Sequence, residues 1–214
     1  MPIIRIPQLT DLDALPHYDG LALERIVIPA TREAFGQAVK EIGAFAQIGF
    51  DTESKPTFMI GEVSTGPHLI QFATPQAAYL FQVGVDGCVE AAKAVLESKR
   101  ILKVGFGLSS DRSQLRNRLG IELLHFIDLG TTLRYQGKKG QVGLRGAVAA
   151  VLGARVSKSR SVSTSNWANR LLTEAQRYYA ANDAYAALEV LLALADDPEQ
   201  LLADRIMPAP GQQS

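Results

Sequence analysis

Two kinds of carboxylate stand out in this sequence because they occupy places where a carboxylate is costly. Asp51 and Glu53 close the segment Gln47-Ile48-Gly49-Phe50-Asp51-Thr52-Glu53, which reads as a strand. Side chains on a strand alternate with period two, so Gln47, Gly49, Asp51 and Glu53 share one face, and Ile48, Phe50 and Thr52 share the other. The two acids then lie about 7 Å apart along one face, and Gly49 beside them leaves room for a ligand rather than a packed core. Asp183 sits in Tyr178-Tyr179-Ala180-Ala181-Asn182-Asp183-Ala184-Tyr185-Ala186-Ala187-Leu188, a helix apolar on nearly every face. Such a helix is buried, and an ionised carboxylate is rarely buried alone, so Asp183 needs a cation or a hydrogen-bond donor. At about 100° per residue, Tyr179 lies roughly 40° around the helix from Asp183 and Tyr178 roughly 140° away. Tyr179, rather than Tyr178, can share a site with Asp183.

Asp111 ends the passage Val104-Gly105-Phe106-Gly107-Leu108-Ser109-Ser110-Asp111. An Asp in the first turn of a helix is favoured by the helix dipole without any function, and taken alone it reads that way. Gly105-Phe106-Gly107 invites a dinucleotide-binding reading, but Ser110 stands where the third glycine is required, so that pattern fails and no organic cofactor is expected. His17, His68 and His125 fall outside these segments and read as structural, Trp167 reads as core, and Cys88 reads as a buried thiol without a function.

The elements that must position these groups alternate. Strand-like segments run at Arg25–Ile28, Gln47–Glu53, Leu69–Ala73, Tyr79–Val83, Ile101–Gly105 and His125–Asp128, with helices at Thr31–Phe45, Cys88–Ser98 and Ser109–Leu119. After that the chain turns helical, around Val142–Leu152 and from Thr173, a plausible N-cap, to Leu194. The links Thr65–Pro67 and Thr74–Ala78 are too short for helical crossovers, so the strands they join form an antiparallel meander. The expected fold class is α/β, a mixed β-sheet with an antiparallel meander flanked by helices. Residues 1–24 lack periodicity and read as an N-terminal extension, 25–206 as one domain, and 207–214 as a flexible tail; neither end is expected to carry chemistry. Ser157–Ser165 is Ser-rich and reads as a loop.

A chain of 214 residues that is 47% apolar can bury one full core. No charged start followed by an apolar stretch stands near Met1, no run approaches the roughly 18 apolar residues of a membrane span, and the single cysteine excludes an internal disulfide; a cytoplasmic protein with no membrane partner is expected. The 22 basic and 22 acidic residues cancel, so the whole-chain charge gives no argument for a polyanion. The distribution differs, because Arg134 to Arg170 carries eight basic residues and no acid. That span is either a grip for a polyanion or a solvated basic surface, and charge alone does not separate the two.

Taken together, these pieces resemble the DEDD superfamily of 3′-to-5′ exonucleases. Phe50-Asp51-Thr52-Glu53 is similar to its first motif, Lys103 to Gly107 through Asp111 to its second, and Tyr179 through Asp183 to its third, in the subclass with Tyr four residues before the last Asp. Gly105 to Asp111, Ser165-Asn166-Trp167 and Leu172-Thr173-Glu174 running into Tyr178 to Ala186 are most similar to the Werner-syndrome-type exonuclease domain, which is related to ribonuclease D. The resemblance covers about residues 25 to 195 and implies a ribonuclease H-like fold.

It also implies Asp51, Glu53, Asp111, Tyr179 and Asp183 as catalytic residues, the four acids as metal ligands, and Tyr179 as the group that orients the attacking water. Two unit charges 4 Å apart repel by about 4 kcal/mol at an effective dielectric of 20, and divalent cations remove that penalty. Oxygen-only ligands favour two ions of Mg²⁺ or Mn²⁺ over zinc. With an ordinary pKa of about 10, Tyr179 is a poor base and a better hydrogen-bond donor.

The implied substrate is a single-stranded or 3′-recessed nucleic acid, DNA in the first reading and RNA, trimmed as by ribonuclease D, in the second. A catalytically silent nucleic-acid-binding module is a third reading, which the complete set of acids disfavours. Lys138, Lys139, Arg155, Lys158 and Arg160 are the candidate phosphate contacts, which give affinity without sequence readout. Phe58 and Met59, in the loop that leaves the acidic strand, could stack on a base but read as core. Relatives often carry helicase or helical nucleic-acid-binding domains; here the grip is expected from the catalytic domain itself or from a separate protein partner.

Overall fold

The computed structural model describes residues 3–57, 61, 64–137, 139–157 and 159–194. Phe58, Met59, Lys138, Lys158 and the expected tail 207–214 lie outside the described residues. The chain opens with β1 (Ile4–Ile6), a 3₁₀ turn (Leu23–Arg25), β2 (Ile26–Val27) and α1 (Arg32–Ile42). β3 (Gln47–Glu53), β4 (Leu69–Ala73) and β5 (Ala78–Gln82) follow, then α2 (Cys88–Leu96), β6 (Leu102–Gly105), α3 (Ser109–Gln114) and β7 (Phe126–Asp128). The remainder is α4 (Leu129–Thr132), β8 (Leu133–Tyr135), α5 (Leu144–Ala147), α6 (Arg160–Ser163) and α7 (Glu174–Leu194).

Six strands form one mixed sheet in the order β2-β5-β4-β3-β6-β7. β3/β4 and β4/β5 are antiparallel, whereas β2/β5, β3/β6 and β6/β7 are parallel. The expected meander is therefore present, and it places β3 at the centre with parallel strands beyond it. Alternation along the strands sorts the core into two layers. Ile48, Phe50, Ile70, Phe72 and Phe81 pack with Phe35 and Ile42 of α1 and with α2. On the other side, Leu69, Ala73 and Leu80 pack with Ala180 and Ala184 of α7. Among the described residues no helix is long and apolar enough to cross a membrane.

Local chemistry explains the helix ends. Thr31 Oγ1 accepts from Ala34 N at 3.1 Å at the start of α1. Before α7, Thr173 Oγ1 accepts from Gln176 N at 3.2 Å while Thr173 N donates to Gln176 Oε1 at 3.0 Å, a reciprocal cap. The helices expected at Ser109–Leu119 and Val142–Leu152 exist in two parts. Each begins as α-helix and widens into a π-type turn, Leu115–Leu119 and Val148–Leu152, ended by glycines at left-handed φ of 65° and 64°.

Two expectations are corrected. The room at Gly49 is not open to a ligand, because a Cβ there would collide with the Ala184 carbonyl of α7. The glycine serves a backbone-to-backbone approach of helix to strand. The Ser-rich loop also contains the single turn α6.

Residues 3–24 are built into the fold as well. β1 pairs in parallel with β8 through Ile4–Leu133 and Ile6–Tyr135, and Leu21 is fully buried. Asn182 Oδ1 accepts from Leu21 N at 2.6 Å, and its Nδ2 donates to Tyr178 O at 2.9 Å, so the N-terminal segment is fastened to α7. Short strands without alternation gave no sequence signal for this.

Gly49→Val is expected to lower stability in chemical denaturation by about 3 kcal/mol through overpacking between β3 and α7. Gly36→Ala, where an added Cβ meets nothing within 4 Å, is expected to be neutral or slightly stabilising in the same measurement.

Candidate active site

Carboxylates arrive at the C-terminal end of β3 from three elements: Asp51 and Glu53 from β3, Asp111 from the first turn of α3, and Asp183 from α7. β3 and β6 run parallel with Gly49 opposite Val104, so the turn that follows β6 emerges beside the end of β3. Asp128, at the end of β7, holds that turn. Its carboxylate accepts from Gly107 N at 2.9 Å, Leu108 N at 3.0 Å and Gly130 N at 2.9 Å. Gly107 takes a left-handed φ of 68°, which lets the chain reverse into α3. Asp111 is then brought onto the Thr52 hydroxyl, which donates to its Oδ1. From the other side of the sheet, the close approach at Gly49 carries Asp183 and Tyr179 down onto Asp51 and Glu53. Tyr178 points away and donates to Asp19 O at 2.6 Å, as the helical geometry requires.

The electrostatics of this group are severe. Burial, followed by the charges of Asp111, Asp183 and Glu53, holds the Asp51 carboxyl well above the usual carboxylate range, against a backbone hydrogen bond from Thr52 N at 2.9 Å. Glu53 is pushed up to about 8 by burial and then by Asp183 and Asp111. Asp183 rises to about 6 through burial, although the Tyr179 hydroxyl pulls it the other way. Asp111 is raised by burial, with the hydroxyls of Thr52 and Ser110 opposing. Burial and the negative charges of Asp183 and Glu53 also raise the Tyr179 phenol, which keeps its proton and acts as a donor.

Among the described residues no ion pair involves any of the four acids. Hydroxyls and a backbone amide reach them instead, so their charge is not cancelled by these side chains. A set of carboxylates in that condition fits a hard divalent cation, Mg²⁺ or Mn²⁺, better than zinc. No three His, Cys, Asp or Glu side chains among the described residues already converge as a ready ligand set, although the same acids are electrostatic neighbours. Asp111, for one, is turned onto the Thr52 hydroxyl. Ligation calls for side-chain rotation on a backbone that already brings the acids together.

A cleft of about 440 Å³ opens on Tyr179 and Asp183 and is lined by Arg145, Arg160, Ser157 and Ser159. A second cavity of about 380 Å³ reaches the same two residues from His17, Tyr18 and Asp19, so the N-terminal segment forms a wall of the site. Of the cations expected to grip a strand, Arg160 lines the cleft and Lys139 is exposed on the turn after β8. Arg155 is engaged structurally, with Nε donating to Leu15 O at 3.1 Å, Nη2 2.8 Å from His17 Nε2, and Nη1 3.7 Å from Asp13. Trp167 is buried and its ring packs 6.1 Å from that of Tyr179. Sequence reasoning missed Asp128, Thr52 and the prominence of Arg145. Asp128 had a readable signal, an acid at the end of an apolar strand just before Leu129-Gly130.

Comparison with known proteins agrees with this geometry. A family model described as a 3′-5′ exonuclease matches residues 26–197. The mouse bifunctional 3′-5′ exonuclease/ATP-dependent helicase WRN is 34% identical over 143 residues, covering 66% of this chain and 10% of that protein. A 3′-5′ exonuclease of Arabidopsis thaliana is 24% identical over 165 residues, covering 75% of this chain and 56% of its own length. The chain thus spans between 10% and 56% of the length of these relatives. Among solved structures, the Nibbler EXO domain of Aedes aegypti superimposes with a TM-score of 0.71 at 26% identity, over 89% of this chain and 100% of that one. Escherichia coli ribonuclease D shares the fold, with a TM-score of 0.65 at 24% identity over 81% of this chain and 45% of that one. The chain belongs to the 3′-5′ exonuclease domain family, of the DEDD type, related to the WRN exonuclease and ribonuclease D, with a ribonuclease H-like mixed α/β fold.

Proposed function

We propose that this domain hydrolyses the terminal phosphodiester bond of a DNA strand from its 3′ end, releasing nucleoside 5′-monophosphates, with two divalent cations, Mg²⁺ or Mn²⁺, held by Asp51, Glu53, Asp111 and Asp183. The observation that carries this reading is the electrostatic convergence of Asp51 with Glu53, Asp111 and Asp183 in one desolvated site. Bound there, the ions supply neutralisation of the phosphate charge and a lowered pKa for the attacking water.

The chain's own groups do the rest. Tyr179, protonated and beside Asp183, donates a hydrogen bond that orients the water. Arg145 and Arg160 line the cleft that opens on the same two residues and suit the phosphates of the terminal nucleotides. Thr52 donates its hydroxyl to Asp111 and fixes that carboxylate on its side of the site. DNA is the first reading, as the sequence resemblance to the Werner-syndrome-type exonuclease domain implies. RNA is the second reading, favoured by the shared fold of a Trypanosoma brucei ribonuclease D solved with RNA U12, which superimposes with a TM-score of 0.69 at 20% identity.

A time course on matched 5′-labelled DNA and RNA strands, with and without Mn²⁺, tests polarity, sugar and metal together. Wild-type protein is expected to shorten DNA from the 3′ end, to stop with chelator and to resume with Mn²⁺ or Mg²⁺. Asp51→Ala and Asp183→Asn are expected to be folded and inactive, and Tyr179→Phe to lose roughly 100-fold in rate. Full activity of Asp51→Ala, or indifference to chelator, contradicts the assignment.

The cationic wall gives a second test. Arg145→Ala and Arg160→Ala are expected to raise KM for an oligonucleotide several-fold and to flatten the steep loss of binding with added salt, leaving the metal requirement intact. Binding with an unchanged salt slope in both variants places the phosphates elsewhere.

A third test uses pH. Glu53 binds a proton in the folded metal-free protein up to about pH 8, whereas its ordinary value is 4.5. The folded state therefore holds the extra proton, and stability falls as pH rises through that window, by roughly 1.4 kcal/mol per pH unit from this group. The raised Asp51, Asp111 and Asp183 act with the same sign. The metal-free melting temperature is expected to drop from about pH 5 to about pH 8. Glu53→Gln should flatten the slope, and saturating Mg²⁺ should remove most of it. A melting temperature that climbs across this interval would count against the site.

A further inference from the structure

One buried polar side chain next to the acids has no role in the chemistry above. Gln71, on β4, is 0% exposed, and neither its Nε2 nor its Oε1 has a hydrogen-bond partner among the described residues. Buried amides are nearly always bonded, and an apolar side chain of the same size would fill this space without the desolvation cost. The position of Gln71 indicates the partner that satisfies it. In the antiparallel pairing of β3 and β4, Gln71 lies directly opposite Asp51, while on its other flank it faces Leu80 of β5. Its strand neighbours Ile70 and Phe72 pack in the layer beneath α1 and α2, and Leu69 and Ala73 pack beneath α7. Gln71 therefore projects toward α7, on the same side of the sheet as Asp51. Residues directly opposite on one face have Cβ atoms about 4.5–5.5 Å apart, a gap that a Gln carboxamide spans.

We propose that Gln71 is the positioning residue for Asp51: its Nε2 donates to the Asp51 carboxylate and holds it in the rotamer that faces Glu53, Asp111 and Asp183 when the ions are bound. This inference rests on the metal-dependent reading above. An amide suits the task because it is neutral. It orients a carboxylate without cancelling the negative charge that attracts a cation, as Lys or Arg at this place would. Leu80, the opposite flank, offers nothing that could compete for the amide. The close packing of α7 over this face excludes bulk water, so the bond to Asp51 forms in surroundings where it is strong.

The test compares wild type with Gln71→Met and Gln71→Leu, near-isosteric variants that keep the packing and remove the donor. Three quantities are measured: the melting temperature without metal, the Mn²⁺ dissociation constant by calorimetry, and kcat with KM on a DNA oligonucleotide at saturating Mn²⁺. Both variants are expected to melt at or above the wild-type temperature without metal, since they no longer bury an unbonded amide. Their Mn²⁺ dissociation constants should rise by roughly 10- to 100-fold, and kcat should fall while KM is unchanged. Wild-type Mn²⁺ affinity and kcat in either variant overturn the proposal and leave the metal-dependent reading standing. A variant that melts well below wild type without metal assigns Gln71 to packing and overturns it too. Wild-type protein that binds no Mn²⁺ overturns the metal-dependent reading itself, and this inference with it.

Discussion

Helix α7 lies on β3 with no side chain between them at Gly49, and the distances within the site follow from that approach. A Cβ at Gly49 would strike the Ala184 carbonyl. Just before Ala184, the same helix presents Asp183 and, a turn further back, Tyr179 to the end of the strand, where Asp51 and Glu53 project. A bulkier residue at Gly49 would lift the helix, and Asp183 and Tyr179 would rise with it. The third contributor, Asp111, is set by a separate device, the three backbone N–H groups gathered by Asp128. Two independent constraints, one on each side of the sheet, thus meet at one edge of β3.

What they assemble is unfavourable by itself. Burial raises the proton affinity of all four acids, the neighbouring acids add to it at Asp51 and Glu53, and the fold supplies hydroxyls and a backbone amide to them rather than cations among the described residues. The tension is tolerable because it is confined to the C-terminal end of a central strand whose sheet is otherwise saturated with apolar contacts, from Phe50 and Phe72 on one side to Leu80 and Ala184 on the other. Sites that break the ordinary rules of burial tend to be functional, and the stability they cost is recovered elsewhere in the core. Gln71 belongs to the same pattern, a buried polar group without a partner among the described residues, opposite Asp51.

Much of this was legible in the residues. The limits of β3 and β4, and the body of α7, follow from alternation, from Thr173 as an N-cap and from the apolar run around Asp183. The choice of Tyr179 over Tyr178 required only helical geometry. Asp111 was different, because one acid in a first turn carries no information until the strand it docks against is known. Gly49 was misjudged for a related reason: a missing side chain signals close approach, but not whether a ligand or a helix is what approaches. β1, β8 and the Leu21–Asn182 clamp were invisible, since three-residue strands lack periodicity and their pairing spans most of the chain. Gln71 could have been noticed as the lone polar residue in Leu69-Ile70-Gln71-Phe72-Ala73, a strand covered on both faces.

The bond between Leu21 and Asn182 joins positions 161 residues apart, and it bears on how the molecule comes into being. A chain synthesised from its N-terminus exposes Leu21 and the first strand long before their anchor on α7 exists. Contacts of such separation close late, after the loops between them have been organised. The segment that walls the cleft and the helix that brings Asp183 are therefore completed in the same final step. Until α7 has left the ribosome, the nascent polypeptide holds Asp51, Glu53 and Asp111 without Asp183 or Tyr179. The proposed set of acids is complete only once that helix has been made.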